Sequence, residues 1–195
     1  MTETAEHAAA TFDFGDGWGA VPATRRPNGA WCAKSAKIGS YAKIGLYAKI
    51  GSYAKIGLYA KIGSDAEIGS YAKIGSGAEI GSDAKIGSGA EIGSYAEIGS
   101  GAEIGSGAEI LQVGPVGSRN AMLHVYPLKD GSAACSTGCF CQHTLAELLA
   151  ACEDTHGADS PHTRDYKLVA TAAFAVIEAR IAARAKPAKA VKRGK

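Results

Sequence analysis

The chain has 195 residues, 46% of them hydrophobic, with 26 glycines and a formal net charge of +2 from 21 basic and 19 acidic side chains. That balance excludes a whole-chain polyanion binder. No apolar run reaches the ~18 residues of a membrane span, so no membrane contact is expected. Five cysteines, an odd number, follow a stretch (residues 1–10) with acids and no hydrophobic segment, which favours free thiols, no secretory signal and a cytoplasmic setting.

Residues 1–12 are small and polar, and are expected to be peripheral. Residues 12–31 hold both tryptophans, Trp18 and Trp31, around Gly15-Asp16-Gly17, Val21-Pro22 and Arg25-Arg26-Pro27-Asn28-Gly29. The repeat that follows must begin with an open strand edge and an open apolar column. Residues 1–31 are therefore read as an N-terminal segment and cap, with Trp18 and Trp31 as lids. The other reading is an anion-binding loop on Arg25 and Arg26.

From Ile38 to Glu109 the chain runs through twelve unbroken units of six residues. Ile is first, Gly second, Ala fifth and Lys or Glu sixth in every unit; the third is Ser except at Leu46 and Leu58, and the fourth is Tyr, Asp or Gly. A fixed short period decides architecture before any other signal. Six with a Gly in each unit suits neither a heptad coil nor an amphipathic helix. It suits a parallel β-helix whose triangular coils take three units each, so twelve units make four coils of 18 residues. Alternation along each strand points Ile and Ala inward, Ile stacks on Ile, and the Gly relieves crowding where the chain bends. At ~4.8 Å per coil the regular part is roughly 20 Å tall.

The pattern Ile-Gly-x-x-Ala-x resembles the hexapeptide repeat of left-handed β-helix proteins, best known from acyltransferases. The resemblance covers residues 38–109 without a break, and residues 32–37 fit a degenerate thirteenth unit. It implies left-handed coils and, by analogy, a trimer. The fold expected is mainly β: a left-handed parallel β-helix, a triangular solenoid, over residues 32–117.

Charge and aromatic content change along the coils. Lys37, Lys43, Lys49, Lys55 and Lys61 stand at the start, and Glu91, Glu97, Glu103 and Glu109 at the end. Residues 18 apart stack, which gives an alternating row, Lys49, Glu67, Lys85 and Glu103, and a segregated one, Lys37, Lys55, Lys73, Glu91 and Glu109. The plain reading is a solvated face; the sharper one is a basic half meeting an anionic surface or the acidic end of another copy. Tyr41, Leu46, Tyr47, Tyr53, Leu58 and Tyr59, with Tyr71, concentrate large apolar groups in the first half and are read as an oligomer interface. Stacking of carbohydrate or peptide on the tyrosine rows is the other reading.

Residues 118–185 read as a small α/β module with two helices. Residues 121–128 alternate like a strand, residues 129–132 turn, and residues 133–140 return as its partner. Thr144 and Glu147 form a capping box that opens a short helix with Leu145, Leu148, Leu149 and Cys152 on one face, ending near Gly157. Ser160 and Pro161 open a second helix, reaching about Ala185, with Tyr166, Ala170, Ala173, Phe174, Ile177 and Ile181 in one stripe.

The flanks are similar to uncharacterised hexapeptide-repeat proteins of bacteria and their phages. The residues that carry this are Gly15-Asp16-Gly17 ahead of Val21-Pro22 and Pro27-Asn28-Gly29, Gly-Pro-Val-Gly-Ser-Arg at 114–119, Thr137-Gly138-Cys139-Phe140 and Thr155-His156-Gly157.

Acyl transfer on this fold typically needs a His on or beside a loop thrown out from the coils, placed as general base. Here no His stands between His7 and His124 and no loop interrupts the units, so only a His of the C-terminal module could serve. Zinc hydration chemistry needs three His ligands, and the coils have none. Cys135, Cys139, Cys141 and His143 are weak metal candidates whose spacing matches no common zinc motif; small core residues are the plainer reading. A Cys139–His156 nucleophile pair has no local group to orient it, and His156 suits a helix C-terminus. No cofactor is expected. The basic tail, residues 186–195, offers Lys186, Lys189, Lys192, Arg193 and Lys195 as a weak, salt-sensitive contact to nucleic acid or another polyanion.

The function expected is a non-catalytic structural or interaction scaffold, trimeric through the coils, with the C-terminal module facing an unknown protein partner. An acyltransferase with a His from that module is the alternative, and a polyanion tether through the tail a third.

Overall fold

A computed structural model describes residues 10–15, 17, 19–137 and 140–185, the side chains of Phe140 and Cys141 excepted. Trp18, Cys139, the Cys141 side chain and the tail residues Lys186, Lys189, Lys192, Arg193 and Lys195 lie outside the described residues.

The chain is mainly β, a solenoid of about four turns followed by two helices. Twelve two-residue strands, from β4 (Lys37–Ile38) to β15 (Glu103–Ile104), each join a sixth-position Lys or Glu to the following Ile. Up to Lys85–Ile86 each pairs in parallel with the strand 18 residues on, as Lys55 with Lys73 and Ile56 with Ile74. The strands build three faces: the first through Lys37, Lys55, Lys73 and Glu91, the second through Lys43, Lys61, Glu79 and Glu97, the third through Lys49, Glu67, Lys85 and Glu103. From Ile50 to Ile104 every Ile is at most 4% exposed, and every Ala from Ala48 to Ala108 at most 1%. The interior is thus a dry aliphatic column, as the period requires.

Two positions of the unit do different work. From Gly39 to Gly87 the Gly after each Ile lies under the next coil: a Cβ on Gly69 would stand 2.5 Å from Ser88 N and 2.8 Å from Gly87 C. The coils hydrogen-bond here, Gly69 N–H donating to Ile86 O at 2.7 Å, so there is no room for a side chain. The turn itself falls two residues later, at the fourth position, where the backbone is left-handed, with φ of 55–61° at Tyr41, Tyr47, Tyr53, Tyr59, Asp65, Tyr71, Asp83 and Tyr95. Glycines such as Gly89 (φ +69°) take the same place with open space around them.

At the N-terminal end, β1 (Ala10–Asp13), β2 (Ala20–Arg25) and β3 (Trp31–Ala33) extend the third face, with β1–β2 and β2–β3 antiparallel and β3 parallel to the coil strand Lys49–Ile50. This corrects the expected lid. Cys32 takes the inward Ile position, so Trp31 falls on the outward sixth position. There its ring stacks on Phe12 at 4.8 Å, and the Arg25 guanidinium lies 6.0 Å over it. Arg26 sits beside the Cys32 thiol, whose pKa burial raises and Arg26 pulls back down. Among the described residues, the first strands of the other two faces have no partner on the N-terminal side.

The C-terminal end is closed. β16 (Leu111–Val116), β17 (Ala121–Pro127), β18 (Ala133–Thr137) and β19 (Phe140–His143) form an antiparallel sheet in chain order. Leu111 is already in this sheet, so the change of module falls at 111 rather than 118, and β19 is a strand additional to the expected hairpin. One side of the sheet lies on the last coil: Tyr126 and Ala134 join the coil core, and Lys129 N–H donates to Glu103 O at 2.8 Å. Leu123, Val125 and Cys135 on the other side pack against α1 (Leu145–His156) and α2 (Pro161–Ala185). The capping box forms between Thr144 and Glu147. Ser160 Oγ accepts from Thr163 N–H at 3.1 Å to open α2, which buries Tyr166, Ala170, Ala173, Phe174 and Ile177.

Candidate functional site

The residues read from the sequence as an interface are all exposed, but the triangle divides them. Tyr41, Leu58 and Tyr59, with Tyr95 above, occupy the edge between the first and second faces; Leu46 and Tyr47 occupy the edge between the second and third; Tyr53 and Tyr71 occupy the remaining edge. Sequence order alone runs through the edges in turn, which is why six nearby residues looked like one patch. Rings on the same edge stack: Tyr41 on Tyr59 at 5.0 Å and 7°, and Tyr53 on Tyr71 at 5.1 Å and 15°. The Tyr95 ring fills the space a side chain at Gly77 would take, and Tyr47 does the same over Gly29. Stacking of this kind covers one flat side of each ring in a pair.

The second face is bracketed by the two edges that carry Leu46 and Leu58. It is also the clearest of the three. Phe14 and Lys129 border the groove along the third face, and Arg180 of α2 borders that of the first, reaching Glu109 at 3.7 Å. The groove of the second face is lined by coil residues alone, among them Lys61, Glu79 and Glu97. Ion pairs climb each face: Lys49–Glu67 at 2.6 Å, Lys61–Glu79 and Lys73–Glu91 at 2.5 Å, Lys85–Glu103 at 3.0 Å. All are more than 40% exposed, so each contributes little to stability. Glu103 is held below the usual carboxylate range by Lys85, with Lys129 adding to the effect.

The histidines of the C-terminal module have different surroundings. His124 is buried on the coil side of β17, opposite Ser136, and among the described residues neither ring nitrogen has a hydrogen-bond partner of normal geometry. Burial pushes its pKa below 6.5, and the Ser136 backbone offsets this only in part. A ring so enclosed is not positioned as a base for an acceptor arriving from solvent. Because the unfolded chain takes up the proton first, stability is full above about pH 6.5 and falls as the pH drops from there toward the folded value. His124→Leu should flatten that loss; thermal melts of both proteins at stepped pH would show it, and parallel curves would contradict it. His156 lies at the end of α1, half-buried, 3.5 Å from Ser118 Oγ and tilted against His162 at 5.4 Å.

Cys135 and His143 are cross-strand partners. Burial, with smaller contributions from Cys152 and Glu147, pushes the Cys135 thiol up to about 12 in the metal-free chain. His143 Nδ1 is 3.5 Å from Glu147. Among the described residues no three His, Cys, Asp or Glu side chains converge on a metal position. Sequence reasoning did not single out Thr137, whose hydroxyl is buried without a hydrogen-bond partner among the described residues and which lines the same cavity as His156; a lone Thr at a strand end carries no signal by itself.

The family model "Bacterial transferase hexapeptide (six repeats)" matches residues 47–82, 59–94 and 77–112. Among solved structures, the acetyltransferase domain of PglB from Neisseria gonorrhoeae is 23% identical, over 41% of this chain and 48% of its own, with a TM-score of 0.23. GDP-perosamine N-acetyl transferase from Caulobacter crescentus is 16% identical, over 40% and 51%, at 0.20. A putative acetyltransferase from Bacillus cereus is 16% identical, over 78% and 91%, at 0.25. The chain spans about half the length of the first two. No curated protein sequence matches it. No described helix is long and apolar enough to cross a membrane.

Proposed function

We propose that this chain, whose coils belong to the hexapeptide-repeat, left-handed β-helix superfamily, is a non-catalytic scaffold. It assembles as a trimer through its coils and presents its C-terminal module to a protein partner. The observation that carries the reading is the tyrosine at the left-handed turn. A side chain with a Cβ costs roughly 1 kcal/mol there relative to Gly, yet six of the twelve turns carry Tyr. Tyr53 and Tyr71 stack on each other; Tyr41, Tyr47, Tyr59 and Tyr95, on the two edges beside the second face, invite association, so contact with another surface offsets their cost.

A ring of three satisfies the division of the edges. With the second face of each copy toward the axis, the Tyr41–Leu58–Tyr59 edge of one copy meets the Leu46–Tyr47 edge of the next, and rotational closure prevents open growth. Leu46 and Leu58 then lie on opposite sides of one repeated contact. Replacing either with Ser, the residue at every other third position, removes ~1.5–3 kcal/mol of burial per contact. Each should weaken assembly about tenfold or more in analytical ultracentrifugation. Tyr53→Gly with Tyr71→Gly, which copies Gly89 and Gly107 on the same edge, should leave it unchanged. A wild type sedimenting as a monomer at micromolar concentration would sink the trimer, as would Leu→Ser forms as tightly assembled as the parent.

The scaffold reading also requires no release of CoA from acetyl-CoA with a panel of sugars and amines. Turnover abolished by His156→Ala would replace it with acyl transfer from the C-terminal module. The basic residues from Lys186 onward add a salt-sensitive contact to a polyanion, a secondary part of the same proposal.

A further inference from the structure

The first coil meets the N-terminal end of the solenoid in three ways. On the third face, β3 continues into β2 and β1. On the second, Asn28 lies across the strand end. Its side-chain amide donates to Ile44 O at 2.7 Å and Gly45 O at 3.2 Å, and its main-chain carbonyl accepts from Tyr47 N–H. The first face has neither cover. Lys37 N–H donates to Ala54 O and Gly39 N–H to Ile56 O, both in the coil above and each at 2.8 Å. Strand alternation turns the N–H and C=O of Ile38 the other way. β4 is the last strand of its sheet, so among the described residues those two groups have no partner. The apolar column is open at the same place. Ala36, Ile38 and Ala42 are only half-buried, whereas every Ala from Ala48 to Ala108 is at most 1% exposed.

The charge around this edge has one sign. Between Asp16 and Asp65 the chain carries eight basic residues and no acidic one. Lys37 is in register with Lys55, and Lys55 with Lys73. Of these three only Lys73 reaches an acid, Glu91, among the described residues. Lys34, Lys37 and Lys55 are exposed, and like charges opposite one another across strands are unfavourable. The ladder lacks an acid on the side that the solenoid leaves open.

We propose that this edge accepts an extended acidic peptide segment of another protein, added as one more strand below β4. Its main chain pairs with the Ile38 N–H and C=O, and its alternate side chains set the specificity. An Asp or Glu stands opposite Lys37, as Glu91 stands opposite Lys73, and an adjoining apolar residue covers Ile38 and the open column. A second copy of the chain fits poorly. Head to head, its Lys34 and Lys37 would meet their own kind; head to tail, its acidic coil end lies under the C-terminal sheet. The first face turns away from the axis of the trimer proposed above, so the edge is open in a monomer and in that trimer alike.

The probe is a fluorescein-labelled peptide with blocked ends, Ser-Ala-Glu-Ile-Gly-Ser, titrated with the full chain by fluorescence anisotropy. Saturable binding in the high micromolar range or tighter is expected, weakening as salt is raised. Replacing the peptide's Glu by Gln should weaken it about threefold, the scale of an exposed ion pair. N-methylation of its Glu, Ile and Gly nitrogens, which removes donors and keeps the charge, should abolish binding. Lys37→Glu is the decisive variant, because the sixth position of the unit takes Lys or Glu and the coils should fold unchanged. Its affinity for the acidic peptide should fall about tenfold, and it should prefer Ser-Ala-Lys-Ile-Gly-Ser instead. No saturable change, equal binding of the N-methylated peptide, or an unchanged preference in Lys37→Glu overturns the proposal. So does binding that emerges only once residues 1–9 are removed, which would give the edge to the chain's own N-terminus. A Lys37→Glu protein that sediments differently from the parent would give it to a second copy, and would overturn the proposal as well.

Discussion

Ile74→Asp is expected to destabilise the protein by more than about 4 kcal/mol, the range reached when a charge is buried without a partner. Ile74 is 3% exposed, stacked between Ile56 below and Ile92 above, in a core cluster made of aliphatic and other apolar residues. An Asp here meets no donor. Its carboxyl must either ionise in a dry interior or take up a proton at a pH where water would leave it charged, and both routes favour the unfolded chain. For a chain of this size about 10 °C or more of melting temperature should be lost. Ile74→Val, which removes one methylene and keeps the shape, should cost only about 1 kcal/mol. A melt of Ile74→Asp within a degree or so of the parent would show that the side chain does not face the column.

Gly69→Ala is expected to rank next, although it adds a single methyl group. That methyl would stand 2.5–2.9 Å from Ser88 N, Gly87 C and Ile86 O, all main-chain atoms of the coil above. No rotamer relieves such a contact; only separation of two coils does, at the expense of the hydrogen bond from Gly69 to Ile86 O and its neighbours. A loss of about 3 kcal/mol is expected, the upper end for overpacking. Gly89→Ala is the informative control. Its φ is left-handed but nothing lies within 4 Å of the added atom, so it should cost roughly 1 kcal/mol, the penalty of the conformation alone. Equal melting temperatures for the two variants would mean that the coils are not packed at this spacing.

The contrast between Gly69 and Gly89 shows what could be read from the sequence. An invariant Gly every six residues was legible as a point of crowding, and the period itself placed Ile and Ala inside. The left-handed turn two residues later was not legible, because Tyr, Asp and Gly alternate there and a run of tyrosines reads as a surface feature. Phase was also available but easily passed over. Once Cys32 is counted as the first residue of a unit, Trp31 must point outward, which rules it out as a lid. The capping box at Thr144 and the stripe from Tyr166 to Ile177 are local patterns, and they named their helices directly. What no local pattern carries is the seat of the C-terminal sheet on the last coil. Tyr126 facing one way and Val125 the other is ordinary strand alternation, and only the three-dimensional arrangement decides which side meets the solenoid. The cavity beside Thr137 escapes a reading of the chain for the same reason: its walls come from a turn, two strands and two helices.

Three identical units to a coil also make the number of units a phase setting. Because each coil touches only its neighbours, adding 18 residues lengthens the shaft and returns the chain to the same face, with the C-terminal module in its original bearing. Adding six instead advances that module by about 1.6 Å along the axis and swings it round by a third of a turn, onto a face with different edges. Insertions and deletions in such a chain therefore behave as steps of an indexing gear. Length and heading change together, and only every third step restores the heading.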